Sequence, residues 1–63
     1  MFKEHTFMPG ETITAIFKKY CGYDLSAEEI KKLMQIFNDK NGARVPHPGE
    51  KFYIPLRDCL SGD

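Results

Sequence analysis

Four side chains in this sequence have the chemistry of metal ligands or of nucleophile–base pairs: His5, Cys21, His47 and Cys59. A structural zinc site announces itself by paired ligands at short spacing, such as Cys-x-x-Cys or two histidines a few residues apart. Here no such pair occurs, and the four residues fall on a strand, a helix end, a loop and a tail. The spacing predicts no metal and no cofactor. A cysteine nucleophile beside His5 or His47 would need a third group to orient the base, and donors for an oxyanion. The sequence supplies neither. Glu28 and Glu29 are neighbouring carboxylates, but successive helical residues point about 100° apart, so they do not converge on one reacting atom. Lys18-Lys19 and Lys31-Lys32 are basic pairs. The acids Glu28 and Glu29 lie within a turn of the second pair, which reads as a solvated helix face. No residue is assigned a catalytic role, and the chain is read as not an enzyme.

The elements that would have to position any site are few. The chain has 63 residues, room for a single domain, and at that size folding buries only about 60% of the unfolded surface. Nine Lys and Arg balance nine Asp and Glu. Zero net charge argues against a nucleic-acid binder, whose affinity comes mostly from excess positive charge. A hydrophobic share of 41% fits a folded globule rather than a disordered segment. No apolar run is long enough to span a bilayer. The opening Met1-Phe2-Lys3-Glu4-His5 lacks the basic and apolar regions of a signal peptide. The expectation is synthesis in the cytoplasm, followed either by residence there or by release through lysis or assembly into a larger particle. A Cys21–Cys59 bridge would close a long loop. Two separate reduced thiols are the reading that goes with a cytosolic origin.

Residues 3–8 read as a strand, with His5 and Phe7 on one face and Thr6 and Met8 on the other. Pro9-Gly10 breaks it. Thr12 is a good helix N-cap, and Ile13, Ile16, Phe17 and Tyr20 follow as one apolar stripe. Lys18 and Lys19 suit the negative end of the helix dipole, and Gly22 is a stop. The second helix has the strongest local signal: Ser26 and Glu29 form a capping box, and Leu25 and Ile30 a hydrophobic staple. Ile30, Leu33, Met34 and Phe37 repeat the stripe, with Ile36 on its flank. Residues 38–42 are expected to end the helix and turn the chain. Residues 51–56 read as the second strand, with Phe52, Ile54 and Leu56 on one face and Pro55 marking it as an edge strand. Pro9-Gly10-Glu11 is echoed by Pro48-Gly49-Glu50, which reads as one turn at each end of the sheet. The predicted fold is α+β, in the order βααβ. A two-stranded antiparallel sheet carries both helices on one face. It forms a single domain over residues 1–63, with a core over 3–56 and a loose tail over 57–63. The aromatic set Phe17, Tyr20, Phe37 and Phe52 is assigned to the core.

Two stretches at the ends of this pattern carry a resemblance. His5-Thr6-Phe7-Met8-Pro9-Gly10-Glu11-Thr12-Ile13 resembles the opening of a LysM domain. Pro48-Gly49-Glu50-Lys51-Phe52-Tyr53-Ile54-Pro55 is similar to its close. Ile16 and Lys18-Lys19-Tyr20 look like its first helix. Ser26 to Ile30, with Leu33 and Asn38, look like its second. The resemblance covers residues 5–55. It implies a module that commonly binds N-acetylglucosamine polymers, peptidoglycan or chitin, between two loops. Carried over, the first loop is Gly10, Glu11, Thr12 and Ile13; the second is Asn41, Gly42, Ala43, Arg44 and Val45. The chain departs from the family pattern in two places. Cys21 to Leu25 make a longer link between the helices, and the second loop carries an extra Pro-His.

Free-standing small chains of this kind resemble structural components of phage tails, baseplates and related injection particles. The first functional expectation is therefore a protein–protein adaptor in a virion tail or baseplate, partnered by other structural proteins and not by nucleic acid or membrane. Its interface candidates are Tyr23, Arg44, Tyr53 and Arg57, since such patches favour aromatic residues and arginine. The alternative is a peptidoglycan- or chitin-binding module using the two loops.

Overall fold

Two strands from opposite ends of the chain pair antiparallel, and two helices between them cover one face of the pair. The structure is a computed structural model and describes residues 1–61. Strand β1 spans Phe2–Thr6, helix α1 Ile13–Cys21, helix α2 Ala27–Asn41 and strand β2 Lys51–Pro55, followed by a 3-10 helix over Arg57–Ser61. The fold is α+β with the order βααβ, as the hydrophobic periods indicate.

The helix starts are set by local chemistry. Thr12 Oγ1 accepts from the Ala15 N–H at 3.2 Å, satisfying a donor that the first turn leaves unpaired. Ser26 Oγ accepts from the Glu29 N–H at 3.1 Å, while the Glu29 carboxylate accepts from the Ser26 N–H at 2.9 Å, completing the capping box. Helix α1 stops at Gly22, whose N–H reaches the Lys18 carbonyl. Helix α2 runs to Asn41, through most of the 38–42 segment expected to end it, and is capped by Gly42. Phe37 and the last residue, Asn41, are both buried, so the inward stripe carries the helix one turn further.

Ile16 and Phe17 of α1, Leu33 and Phe37 of α2, and Phe52 and Ile54 of β2 form the core together with Phe7, Cys21 and Leu25. Phe37 stacks on Phe52, and Phe7 and Phe17 each meet one of that pair edge to face, the offset geometries that aromatic quadrupoles favour. Ile13, Tyr20, Ile30 and Met34 close the periphery. Leu60 joins them from the 3-10 helix. Residues 57–61, expected as loose tail, are thus ordered because Leu60 has apolar surface to cover. Residues 62 and 63 of that expected tail lie outside the described residues.

The ladder fixes which backbone groups face outward. Phe7 N–H donates to the Glu50 carbonyl and Leu56 N–H to the Met1 carbonyl. Alternation then makes Lys3 with Ile54, and His5 with Phe52, the mutually bonded pairs. Phe2, Glu4 and Thr6 on β1, and Lys51, Tyr53 and Pro55 on β2, point their N–H and C=O away from the partner strand. Pro55 stands where its missing donor costs the ladder nothing.

Both Pro-Gly-Glu segments are turns, but they sit at the same end of the sheet, not one at each end. Antiparallel pairing requires this, since one follows β1 and the other precedes β2. The two turns are built alike. Glu11 N–H donates to the Met8 carbonyl and Glu50 N–H to the His47 carbonyl, at 3.2 and 3.1 Å. Each glutamate then accepts the N–H of the residue three before it: Met8 at 2.7 Å and His47 at 3.0 Å. Gly10 and Gly49 take φ of 86° and 89°, as the third position of a type II turn demands after proline.

Candidate functional site

The first loop spends its polar groups inside the fold. Glu11 Oε1 accepts from the Met8 N–H and meets His5 Nε2 at 3.0 Å, while His5 Nδ1 meets the Tyr20 hydroxyl at 2.8 Å. The chain Tyr20–His5–Glu11 ties α1, β1 and the turn together. His5 points inward on the same face as Phe7, as strand alternation predicts. The hydrogen bond from His5, then that from the Met8 N–H, holds the Glu11 carboxyl below the usual glutamate range. Thr12 is occupied as the N-cap. Ile13 is half-buried against the core, and only Gly10 is fully at the surface without a side-chain role.

The second loop is equally committed. Asn41, expected to line a groove, is buried and makes three hydrogen bonds. Its Nδ2 donates to the Phe37 carbonyl at 2.8 Å and to the Tyr53 carbonyl at 2.9 Å, and its Oδ1 accepts from the Tyr53 N–H at 2.9 Å. It occupies the outward-facing backbone of β2 as a residue of a third strand would. Arg44 places its guanidinium 4.3 Å from the Phe52 ring centroid and donates from Nε to the Asn41 carbonyl at 3.2 Å. Ala43 has φ of 57°, a left-handed conformation that costs a non-glycine residue about 1–2 kcal/mol. Gly42 and Val45 are exposed. The first loop follows Phe7 in the chain and Arg44 of the second lies over Phe52, and these two rings meet edge to face at 5.4 Å.

A different surface lies on the face of the sheet away from the core. Phe2 and Tyr53 are 39% and 47% exposed, and the Lys40 ammonium stands 5.0 Å from the first ring centroid and 5.4 Å from the second. This cation–π bridge links the end of α2 to both strands. Phe2 and Lys40 were not among the residues expected at a surface site. An aromatic at alternation with Glu4, just before the expected strand start, was the available sign for Phe2.

The four interface candidates do not form one patch. Tyr53 belongs to the bridge with Lys40. Arg44 lies over Phe52. Arg57 pairs with Asp24 at 3.2 Å and Glu29 at 3.8 Å, tying the 3-10 helix to the link between the helices. Tyr23 stands in that link, 80% exposed.

The cysteines are free, with Cys21 buried and Cys59 partly exposed. The Cys21 thiol donates to the Pro55 carbonyl at 3.5 Å, and burial, the largest influence on it, pushes its pKa up. Among the described residues no three His, Cys, Asp or Glu side chains gather as metal ligands, no cavity is enclosed, and no helix is long and apolar enough to cross a membrane. No family model, curated protein or solved structure matches the chain.

Proposed function

We propose that the chain is a docking module, a structural adaptor between other proteins, with no catalytic role. The observation that carries this reading is the Phe2–Lys40–Tyr53 surface. It presents two partly exposed aromatic rings and a cation on the outer face of the sheet, and aromatic residues are among those that anchor protein interfaces. The groups that a sugar would need are meanwhile taken: Glu11 by His5 and Met8, Thr12 by Ala15, and Asn41 by Tyr53. The LysM resemblance of residues 5–55 supplies the setting, the tail or baseplate of a phage or related injection particle, with the module reaching the particle from the cytoplasm.

A second reading has its own support. The two loops named by the resemblance border Phe7 and Phe52, whose rings are in contact, and glycan binding by those loops is the alternative. The two readings separate in one set of measurements. The adaptor is present in fixed stoichiometry in purified particles, and Tyr53→Ala or Tyr23→Ala lowers its incorporation while the free domain melts normally. A glycan binder instead sediments with purified peptidoglycan or chitin, is displaced by chito-oligosaccharides, and loses this on change at Glu11 or Thr12. Strong sedimentation without particle incorporation overturns the adaptor.

A further inference from the structure

The sheet has two edges, and that of β2 is covered at its centre and end, leaving only the outward groups of Lys51 without a partner among the described residues. On β2 the outward N–H and C=O of Tyr53 are both held by the Asn41 amide, and Pro55 has no N–H. On β1 the outward N–H and C=O groups of Phe2, Glu4 and Thr6 meet no partner among the described residues. All three of these residues are exposed. We infer that the free edge of β1 receives an extended strand from a different protein. The inference rests on the docking reading and specifies how the partner attaches, by extending the sheet.

The side chains along β1 define the occupant. Glu4 stands on the outer face between Phe2 and Thr6, and Lys3 on the opposite face. Neither forms an ion pair within the described residues. A second copy of this chain fits poorly. Antiparallel self-pairing through Phe2, Glu4 and Thr6 places Lys3 opposite Lys3 or Glu4 opposite Glu4 in two of the three registers with substantial overlap. Like charges directly opposite are destabilising, and charged edge strands guard against pairing with themselves. A strand with the opposite pattern gains at each of these positions. Run antiparallel to β1, it carries a basic residue beside Glu4, then an acidic residue beside Lys3, then an apolar residue beside Phe2. That last side chain extends the Phe2–Tyr53 surface, so backbone and side-chain contacts act together.

The test uses the whole chain and two synthetic peptides. One has Lys, Glu and Val at three consecutive positions of an extended segment; the other exchanges the Lys and Glu. The amide protons of Phe2, Glu4 and Thr6, followed by NMR, should gain protection with the first peptide. The second should bind about tenfold more weakly, the product of two reversed cross-strand pairs. The Lys3→Glu, Glu4→Lys double variant should reverse that order. Protection confined to other residues, no preference between the peptides, or self-association through β1 without peptide would each overturn the inference. Glu4→Pro separates it from the docking reading, because that residue donates nothing to β2. Proline there should cut particle incorporation at least about tenfold, the order of a lost edge contact. Should Glu4→Pro incorporate normally while Tyr53→Ala does not, the edge inference fails and the docking reading stands. Should Glu4→Pro unfold the chain, the peptide measurements on the unaltered protein decide.

Discussion

The side-chain amide of Asn41 and the main chain of Tyr53 exchange hydrogen bonds in both directions, each 2.9 Å long, the pattern of a mutually bonded residue pair in a sheet. One amide thus covers the middle of the β2 edge and fixes the end of α2 against it. The same side chain reaches back to the Phe37 carbonyl, so its donor serves both elements.

Asn41→Ala should therefore lower stability more than an ordinary helix-end substitution. A buried amide with three hydrogen bonds is lost, and net losses of about 1–3 kcal/mol attend unsatisfied partners at such sites. Asn41→Leu keeps much of the volume but restores no bond, and should also destabilise. Urea midpoints measure both. Equal stability of either variant with the parent would mean that the amide contributes nothing.

Acid should weaken the turn after β1. The Glu11 carboxyl is held below its ordinary range, first by His5 and then by the Met8 N–H, with Lys19 contributing from α1. Tyr20 reaches the cluster through His5. A depressed carboxylate contributes stability that is fully present above the unfolded value, about 4.3. It is lost as pH falls through the lower folded value. Glu11→Gln should consequently be less stable than the parent at neutral pH, with the gap closing on acidification. A gap independent of pH would remove Glu11 as its source.

Ser26→Ala breaks the capping box and should cost about 1 kcal/mol. The loss should be read from the urea midpoint, with Glu29→Gln as a milder companion, since glutamine also completes such a box. An unchanged midpoint for Ser26→Ala would count against the boundary of α2.

The two thiols should behave differently. Reductant should leave the melting temperature unchanged, because both cysteines are free. A thiol reagent should label Cys59 in the folded protein and Cys21 only as the fold opens, given its burial and raised pKa. A melting temperature that drops with reductant would reveal a bridge.

What the sequence discloses follows the range of each interaction. Thr12, Ser26 and Glu29 act on backbone within one turn, so their roles are legible from spacing alone. The two apolar stripes are legible for the same reason, since they need only a helical period. Asn41 is different: it continues the stripe of Phe37 by four residues, but its partner is a strand twelve residues on. A polar side chain at a stripe position reads as the end of a helix until that strand is in place. His5 likewise looks like a ligand or a base in isolation, and its two partners come from a turn and a helix. Phe2 and Lys40 meet only because the ladder starts earlier than alternation suggested, with Met1 opposite Leu56. At the other end, Leu60 orders a segment whose polar composition suggested none.

The pairing of the first strand with the last has a consequence for the order of events in folding. The helices and their link involve near neighbours in sequence, whereas the β1–β2 ladder joins residues across nearly the whole chain. Closing so long a loop is entropically unfavourable until contacts compensate it, which delays non-local pairing. Helices α1 and α2, whose hydrogen bonds are local, are expected to form before β1 pairs along β2. In the reverse direction β1 is the first element to detach. Whatever clamps β1 acts as a latch on the entire domain, so a ligand for this one strand would slow the unfolding of all the rest.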